Sequence, residues 1–200
     1  MSSKRDELEE VATELVQTGG IGALSFRTLA DRVGVKSSSV HYYFPEKNDL
    51  TAVLIQNYTA NFAQKLQAIA AREKTLKKKL LAYIGLFEEA TANGKLCLCG
   101  MLSAEITSLD DASRALLVEF FKLGENWLQT AFELHADQLD IAMDPKPLAQ
   151  ALLAGLEGLA FFRRGRDLAI PQVMGQVEGI DQGSAGSAYG ASLSATQTTN

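Results

Sequence analysis

Residues 25–47, SFRTLADRVGVKSSSVHYYFPEK, place Gly34 between two short segments of helical periodicity, and no other stretch limits the fold so tightly. Phe26, Leu29, Ala30 and Val33 recur at the spacing of one helix face, and Ser25 is positioned to cap a helix over residues 26–33. Gly34 follows at once, where a residue able to take left-handed backbone angles ends a helix. Val35 resumes an apolar anchor, and Ser37-Ser38-Ser39 offers an N-cap for a second helix that must stop before Pro45. Two helices joined through a short glycine-containing turn form a helix-turn-helix.

The second helix commits few side chains to a core. Val40 and Phe44, four apart, face inward, with room beside them for one of the two tyrosines. Lys36, Ser37, Ser38, Ser39, His41 and at least one of Tyr42 and Tyr43 then face outward. Short hydroxyl side chains at a helix N-terminus let backbone N–H groups come close to phosphate, and the helix dipole favours the anion. Lys36 and Lys47 bracket the segment with positive charge, and Arg27 stands within reach of a phosphate or a guanine edge. Taken alone, the same residues also fit a structural role, with serines as caps and aromatics as core.

A resemblance favours the first reading. The lead-in Gly-Ile-Gly-Ala-Leu-Ser at residues 20–25, then Arg27, Leu29-Ala30, Val33-Gly34-Val35, Ser39-Val40, Tyr42-Tyr43-Phe44, Lys47, Leu50 and Leu54 follow one another without a gap. In this, residues 20–54 resemble the DNA-binding domain of the TetR family of bacterial repressors. The resemblance implies an all-α protein. Residues 1–48 would form an N-terminal three-helix DNA-binding domain containing the helix-turn-helix, and residues 49–180 a helical ligand-binding and dimerisation domain. The expected DNA contacts are Arg27, Lys36, Ser37, Ser38, Ser39, His41, Tyr42, Tyr43 and Lys47.

Beyond that stretch the chain also reads as helix, with only four prolines in 200 residues and 46% hydrophobic content, ample for a core. Leu8, Val11, Ala12, Leu15 and Val16 stripe a first helix over residues 5–18, ended by Gly19-Gly20. From Glu46 to about Ala71 a longer helix carries Leu50, Val53, Leu54, Tyr58, Phe62, Leu66 and Ile69. It begins in one domain and ends in the other, as a lever would. Further helices are expected over residues 74–92, 98–108, 110–135 and 147–163, then a turn at Arg163-Arg164-Gly165-Arg166 and a last helix over 168–177. In the TetR family the last two long helices build a four-helix dimer interface. The resemblance assigns that role here to Leu152, Gly155, Leu156, Leu159, Ile170, Val173, Met174 and Val177. Residues 181–200, rich in Gly, Ser, Ala and Thr, are expected to be disordered.

Charge argues for two subunits acting together. The chain carries a net −5, and its first fifty residues hold slightly more acid than base. Placement matters more than the total, because Arg27, Lys36 and Lys47 belong to the reading unit while Lys4 and Arg5 form a small basic arm. So few phosphate-neutralising groups per subunit give useful affinity only when two are joined. The opening MSSKRDELEE does not read as a signal peptide and no stretch reaches the roughly 18 apolar residues of a membrane span, so a cytoplasmic protein with no membrane contact is expected.

Catalytic signatures are missing from the sequence. There is no HExxH, no nucleophile elbow and no phosphate loop, so neither enzyme activity nor a cofactor is expected. Cys97 and Cys99 lack the two further ligands that a structural zinc site needs, so no metal is expected. As small hydrophobes they fit a core. A second reading notes that Cys97 precedes a helix and follows Lys95, two features that lower a thiol pKa. The segment also resembles one branch of TetR regulators, with a cysteine-containing turn before a Leu-Ser-Ala-Glu helix (residues 102–105), some of which respond to electrophiles through this thiol.

The expectation is therefore a homodimeric repressor that is released from a palindromic double-stranded DNA operator by a small-molecule inducer or by modification of Cys97. Phe62, Leu66, Phe87, Cys97, Met101, Phe120, Phe121 and Trp127 are the expected pocket walls, with Glu105 as a polar anchor. The alternatives are a helical thiol-dependent redox enzyme using Cys97 and a protein-binding adaptor.

Overall fold

A computed structural model describes residues 3–139 and 144–166, and every regular element among them is helical. In chain order these are α1 (Lys4–Gly19), α2 (Phe26–Val33), α3 (Ser37–Tyr43), α4 (Lys47–Arg72), α5 (Leu76–Ala90), α6 (Leu98–Ala104), α7 (Asp111–Leu134) and α8 (Pro145–Arg166). The segment 168–177, with Ile170, Val173, Met174 and Val177, and the tail 181–200 lie outside the described residues. No helix among the described residues is long and apolar enough to cross a membrane.

Local chemistry fixes most of the boundaries. The Ser25 hydroxyl accepts the Thr28 N–H at 3.0 Å, capping α2 as its sequence predicts. Gly34 ends that helix at φ 71°, ψ 38°, the left-handed conformation that costs glycine little. Asp110 caps α7 by accepting the Ser113 N–H at 2.9 Å. Three boundaries differ from expectation. The serines do not cap α3: Lys36 is the extended residue before it, so Ser37, Ser38 and Ser39 lie inside the helix. Helix α6 stops at Ala104 because Glu105 leaves helical angles, and Ile106–Ser108 forms a separate 3-10 turn. Helix α8 starts at Pro145, where a missing N–H is harmless, and runs through Arg163-Arg164-Gly165-Arg166 without the expected turn. One internal glycine costs about 1 kcal/mol, too little to end a helix of this length.

The apolar interior forms two clusters. The first joins Leu8, Val16, Leu29, Val40, Phe44, Leu50 and Leu54 to Leu98, Leu102, Leu117 and Phe120. The second packs Leu66, Leu80, Tyr83, Ile84 and Phe87 against Leu128, Phe132, Leu153 and Leu156. The interior of the N-terminal helices thus runs into α6 and α7 without a break at residue 48, and α4 contributes to both clusters. Leu156, expected at a dimer interface, is 1% exposed within the chain's own core, so it has no surface to offer. Beside Leu156 on α8, Leu152 and Leu159 are half-buried, and Gly155 at the edge of that stripe is exposed, with no described atom within 4 Å of where a Cβ would stand.

Candidate nucleic-acid interface and regulatory cavity

Val40 and Phe44 fasten α3 to the core at 0% and 1% exposure, which turns the rest of that helix outward. Neither tyrosine takes the place left beside them: Tyr42 is 82% exposed and Tyr43 37%, their rings meeting edge to face at 5.2 Å. A helix this short presents one inward stripe, and Val40 with Phe44 fills it. Arg27, Lys36, Ser37, Ser38 and His41 are exposed and Ser39 is half-buried, all on the α2–α3 unit. His41 is steadied by the edge of Phe26 at 4.7 Å, with Nδ1 3.4 Å from the Pro45 carbonyl oxygen. Lys4 and Arg5 are not a free arm. Lys4 pairs with Glu7 at 2.5 Å, and Arg5 bonds Glu9 at 2.8 Å while lying 5.5 Å over the Phe44 ring.

Lys47 points the other way. Its half-buried ammonium donates to the Ile21 carbonyl at 2.6 Å, and burial lowers its pKa while Glu105 opposes that shift. Glu105 itself accepts the Ile21 N–H at 2.7 Å. It is therefore not the polar anchor of a ligand pocket. Its position just past the end of α6 directs it to the corner that follows α1. Two more bonds reach that corner from the rest of the chain: Leu96 N–H to the Gln17 carbonyl at 3.1 Å, and the Arg164 guanidinium to the Thr18 carbonyl. Residues 17–21 are thus held from three sides.

A cavity of about 210 Å³ opens between α4 and α5. Of the expected walls, Phe62, Phe87, Cys97 and Phe120 line it. Leu66 is buried in the second core cluster, Met101 packs on the first, Phe121 faces a different cavity and Trp127 stacks on Tyr83 at 5.4 Å. The walls missed from sequence are chiefly Tyr58, Asn61, Lys65 and Gln17. Tyr58 stands one helical turn before Phe62 on the same stripe, a signal that was there to read. Gln17 belongs to α1 and carried no such signal. Lys65 and Glu89 pair across the helices at 2.8 Å.

Both cysteines are free thiols and buried, Cys97 at 3% and Cys99 at 0% exposure. Burial pushes both thiols well above their ordinary range, which overturns the expected thiolate-favouring surroundings. A helix N-terminus and an outlying lysine do not offset desolvation of that extent. The chemistry of a redox thiol enzyme finds no support here. Beside Cys97 lie the Tyr58 hydroxyl and the carboxyl of Glu157, a residue of α8. Both Glu157 oxygens are buried without a conventional hydrogen bond, and burial raises this carboxyl to about 7. The Cys97 thiol beside it is a weak donor.

Comparison with known proteins agrees with this geometry. Residues 9–54 match the family model for bacterial regulatory proteins of the tetR family. No curated protein matches the chain. Among solved structures, a TetR transcriptional regulator from Legionella pneumophila is similar over 92% of this chain and 98% of that one, with 26% identity and a TM-score of 0.81. Two further structures show the same fold. A TetR-family regulator from Agrobacterium tumefaciens covers 90% of this chain and 94% of its own at 23% identity, TM-score 0.79. Regulatory protein TetR from Rhodobacter sphaeroides covers 90% and 98% at 24% identity, TM-score 0.78.

Glu105→Ala is expected to strand the Ile21 N–H and cost about 1–3 kcal/mol in urea denaturation, with faster hydrogen exchange at that amide. Glu105→Gln keeps an acceptor and should recover most of the loss; equal behaviour of the two variants would contradict the assignment. Glu157 gives a pH signature. Its folded pKa of about 7 lies above its ordinary 4.5, so the folded chain holds a proton that the unfolded chain has already lost. Stability is then highest on the acid side and falls as pH rises through 7, by up to about 3 kcal/mol. Denaturation at pH 5 and pH 8 should show this fall in the parent and a markedly smaller one in Glu157→Gln.

Proposed function

The chain belongs to the TetR family of helix-turn-helix transcriptional regulators, and we propose that it works as a cytoplasmic homodimeric repressor whose hold on a palindromic operator is released by a small molecule. The observation that carries this reading is the surface of α2 and α3. Arg27 and Lys36 are exposed and have no ion-pair partner among the described residues, and Tyr42 projects a largely exposed ring beside them. A ring so exposed gains by being covered, and unpaired cations beside it suit a polyanion. In the dimer each α3 enters a major groove, with half-sites about one helical turn apart. Ser37, Ser38, Ser39, His41 and Tyr43 complete the contact surface. Lys47 supports it from behind through Ile21 and does not itself reach for phosphate.

The inducer occupies the cavity between α4 and α5. Because Gln17 lines that cavity, a ligand there touches the helix behind the reading unit directly, and the Leu96 bond to the Gln17 carbonyl gives it a second handle. Transmission then runs through α1 as well as along α4. Moving the balance of two head positions from 99:1 to 1:99 takes a differential affinity of about 5.5 kcal/mol.

Alanine at Arg27 or Tyr42 should weaken operator binding by about 1–3 kcal/mol each with the melting temperature unchanged, measured by footprinting of the neighbouring promoter and by scanning calorimetry. Unaltered protection by the double variant would defeat the assignment of this surface. The twofold contact is assigned to the flank of α8 that carries Leu152, Gly155 and Leu159. Gly155→Leu meets open space within one subunit, so the monomer fold should survive while dimerisation weakens by about tenfold or more in sedimentation equilibrium. An unchanged dimer constant would place the interface elsewhere.

A further inference from the structure

Glu157 stands between two cavities. On one side it lines a space of about 350 Å³ with Gly100, Phe121, Glu125, Leu153 and Phe161. On the other, Cys97 and Tyr58 separate it from the 210 Å³ cavity assigned to the inducer. Its two carboxyl oxygens are buried with only the weakly donating Cys97 thiol beside them, and the nearby Tyr83 hydroxyl is buried without a partner. A buried carboxyl without a partner is costly, and an apolar side chain of similar volume would remove the cost. The groups that face it are Tyr58 from α4, Tyr83 from α5, and Cys97 and Cys99 at the start of α6, with Glu125 from α7 in the same cavity. None is a cation. Two lysines line the 210 Å³ cavity itself: Lys65, paired with Glu89, and Lys95.

Aromatic rings surround the same place. Tyr58 meets Phe120 at 5.6 Å, Phe120 meets Phe62 at 5.2 Å, and Phe62 meets Tyr83 at 6.0 Å. A carboxylate whose only donor is a thiol, set behind a shell of aromatic faces, is complementary to an ammonium group on an apolar body. An anion would meet the carboxyl, and a plain hydrocarbon would leave it unpaired.

We propose that Glu157 anchors a ligand bearing a protonated amine, with the apolar body among Tyr58, Phe62 and Phe120 and the ammonium bonded to the Glu157 carboxylate. Rotation of the Cys97 side chain joins the inner end of the cavity to that carboxylate. The proposal rests on reading this cavity as the inducer site, and it narrows the inducers to amphiphilic amines.

Trp127, the only tryptophan, stacks on Tyr83 and reports binding by its fluorescence. The full chain is titrated at pH 8 with three probes of one shape: phenylbutylamine, phenylbutanol and phenylbutyrate. The amine should bind about tenfold or more tighter than the alcohol, and the carboxylate most weakly. Glu157→Gln should abolish the amine's advantage and leave the alcohol within about twofold. A measurement on the unaltered chain guards against misfolding of the variant: between pH 6 and pH 8 the advantage should grow by about tenfold as the carboxyl ionises. The proposal is overturned if no probe binds, if the amine has no advantage at pH 8, or if the advantage survives in Glu157→Gln. A Glu157-dependent preference for the amine that leaves operator DNA bound upholds the anchor and defeats the inducer reading.

Discussion

The carboxylate of Glu105 on the N–H of Ile21 is the contact on which the arrangement of the whole chain turns. Gly20 still donates to Val16 of α1, but the next N–H, that of Ile21, finds its acceptor in a side chain far along the chain, and an unpaired buried N–H is costly. The chain answers with a carboxylate from 84 residues further on, and with Lys47, which donates to the carbonyl of the same residue. The short helices that face DNA are thereby fastened to the far helices through one polar corner, close to the first turn of α4. The exposed surface of α2 and α3 and the cavity between α4 and α5 share this structural support.

Cavity and corner are neighbours for a plain geometric reason. Helix α1 packs on α6, so its last turn, Gln17 and Thr18, lies over the segment that leads from α5 into α6. A ligand entering between α4 and α5 therefore meets the end of α1 within the cavity wall. A buried acidic group on α8 lies behind the thiol at the cavity's inner end, and the rings of α4, α5 and α7 insulate it from solvent. Apolar packing provides the room, and a few polar groups provide the selectivity, as is common in ligand cavities.

The parts legible in the sequence were those decided by neighbours in the chain. Ser25 before α2, Gly34 after it and Asp110 before α7 act on groups two to five residues away, and each does what its position predicts. The exposed face of α3 was legible because Val40 and Phe44 account for its whole inward stripe. What escaped depended on partners remote in sequence. Glu105 looked like a pocket residue because nothing near it reveals the Ile21 N–H. Cys97 looked activated because Lys95 and a helix start are local, while the burial that dominates its thiol comes from α4 and α8. Phe121 and Trp127 are large and half-buried but do not line the expected cavity, because helical spacing does not say which of several spaces a ring will fill.

One further consequence follows from the apolar interior that passes unbroken from α1 through α6 and α7. Close-packed side chains do not deform smoothly, and they move between a few interlocking arrangements. A DNA-contacting unit that shares its interior with the body cannot swing loosely on a tether. It must click from one seated position to another, so an inducer in the cavity, as proposed above, acts in notches and not by degrees.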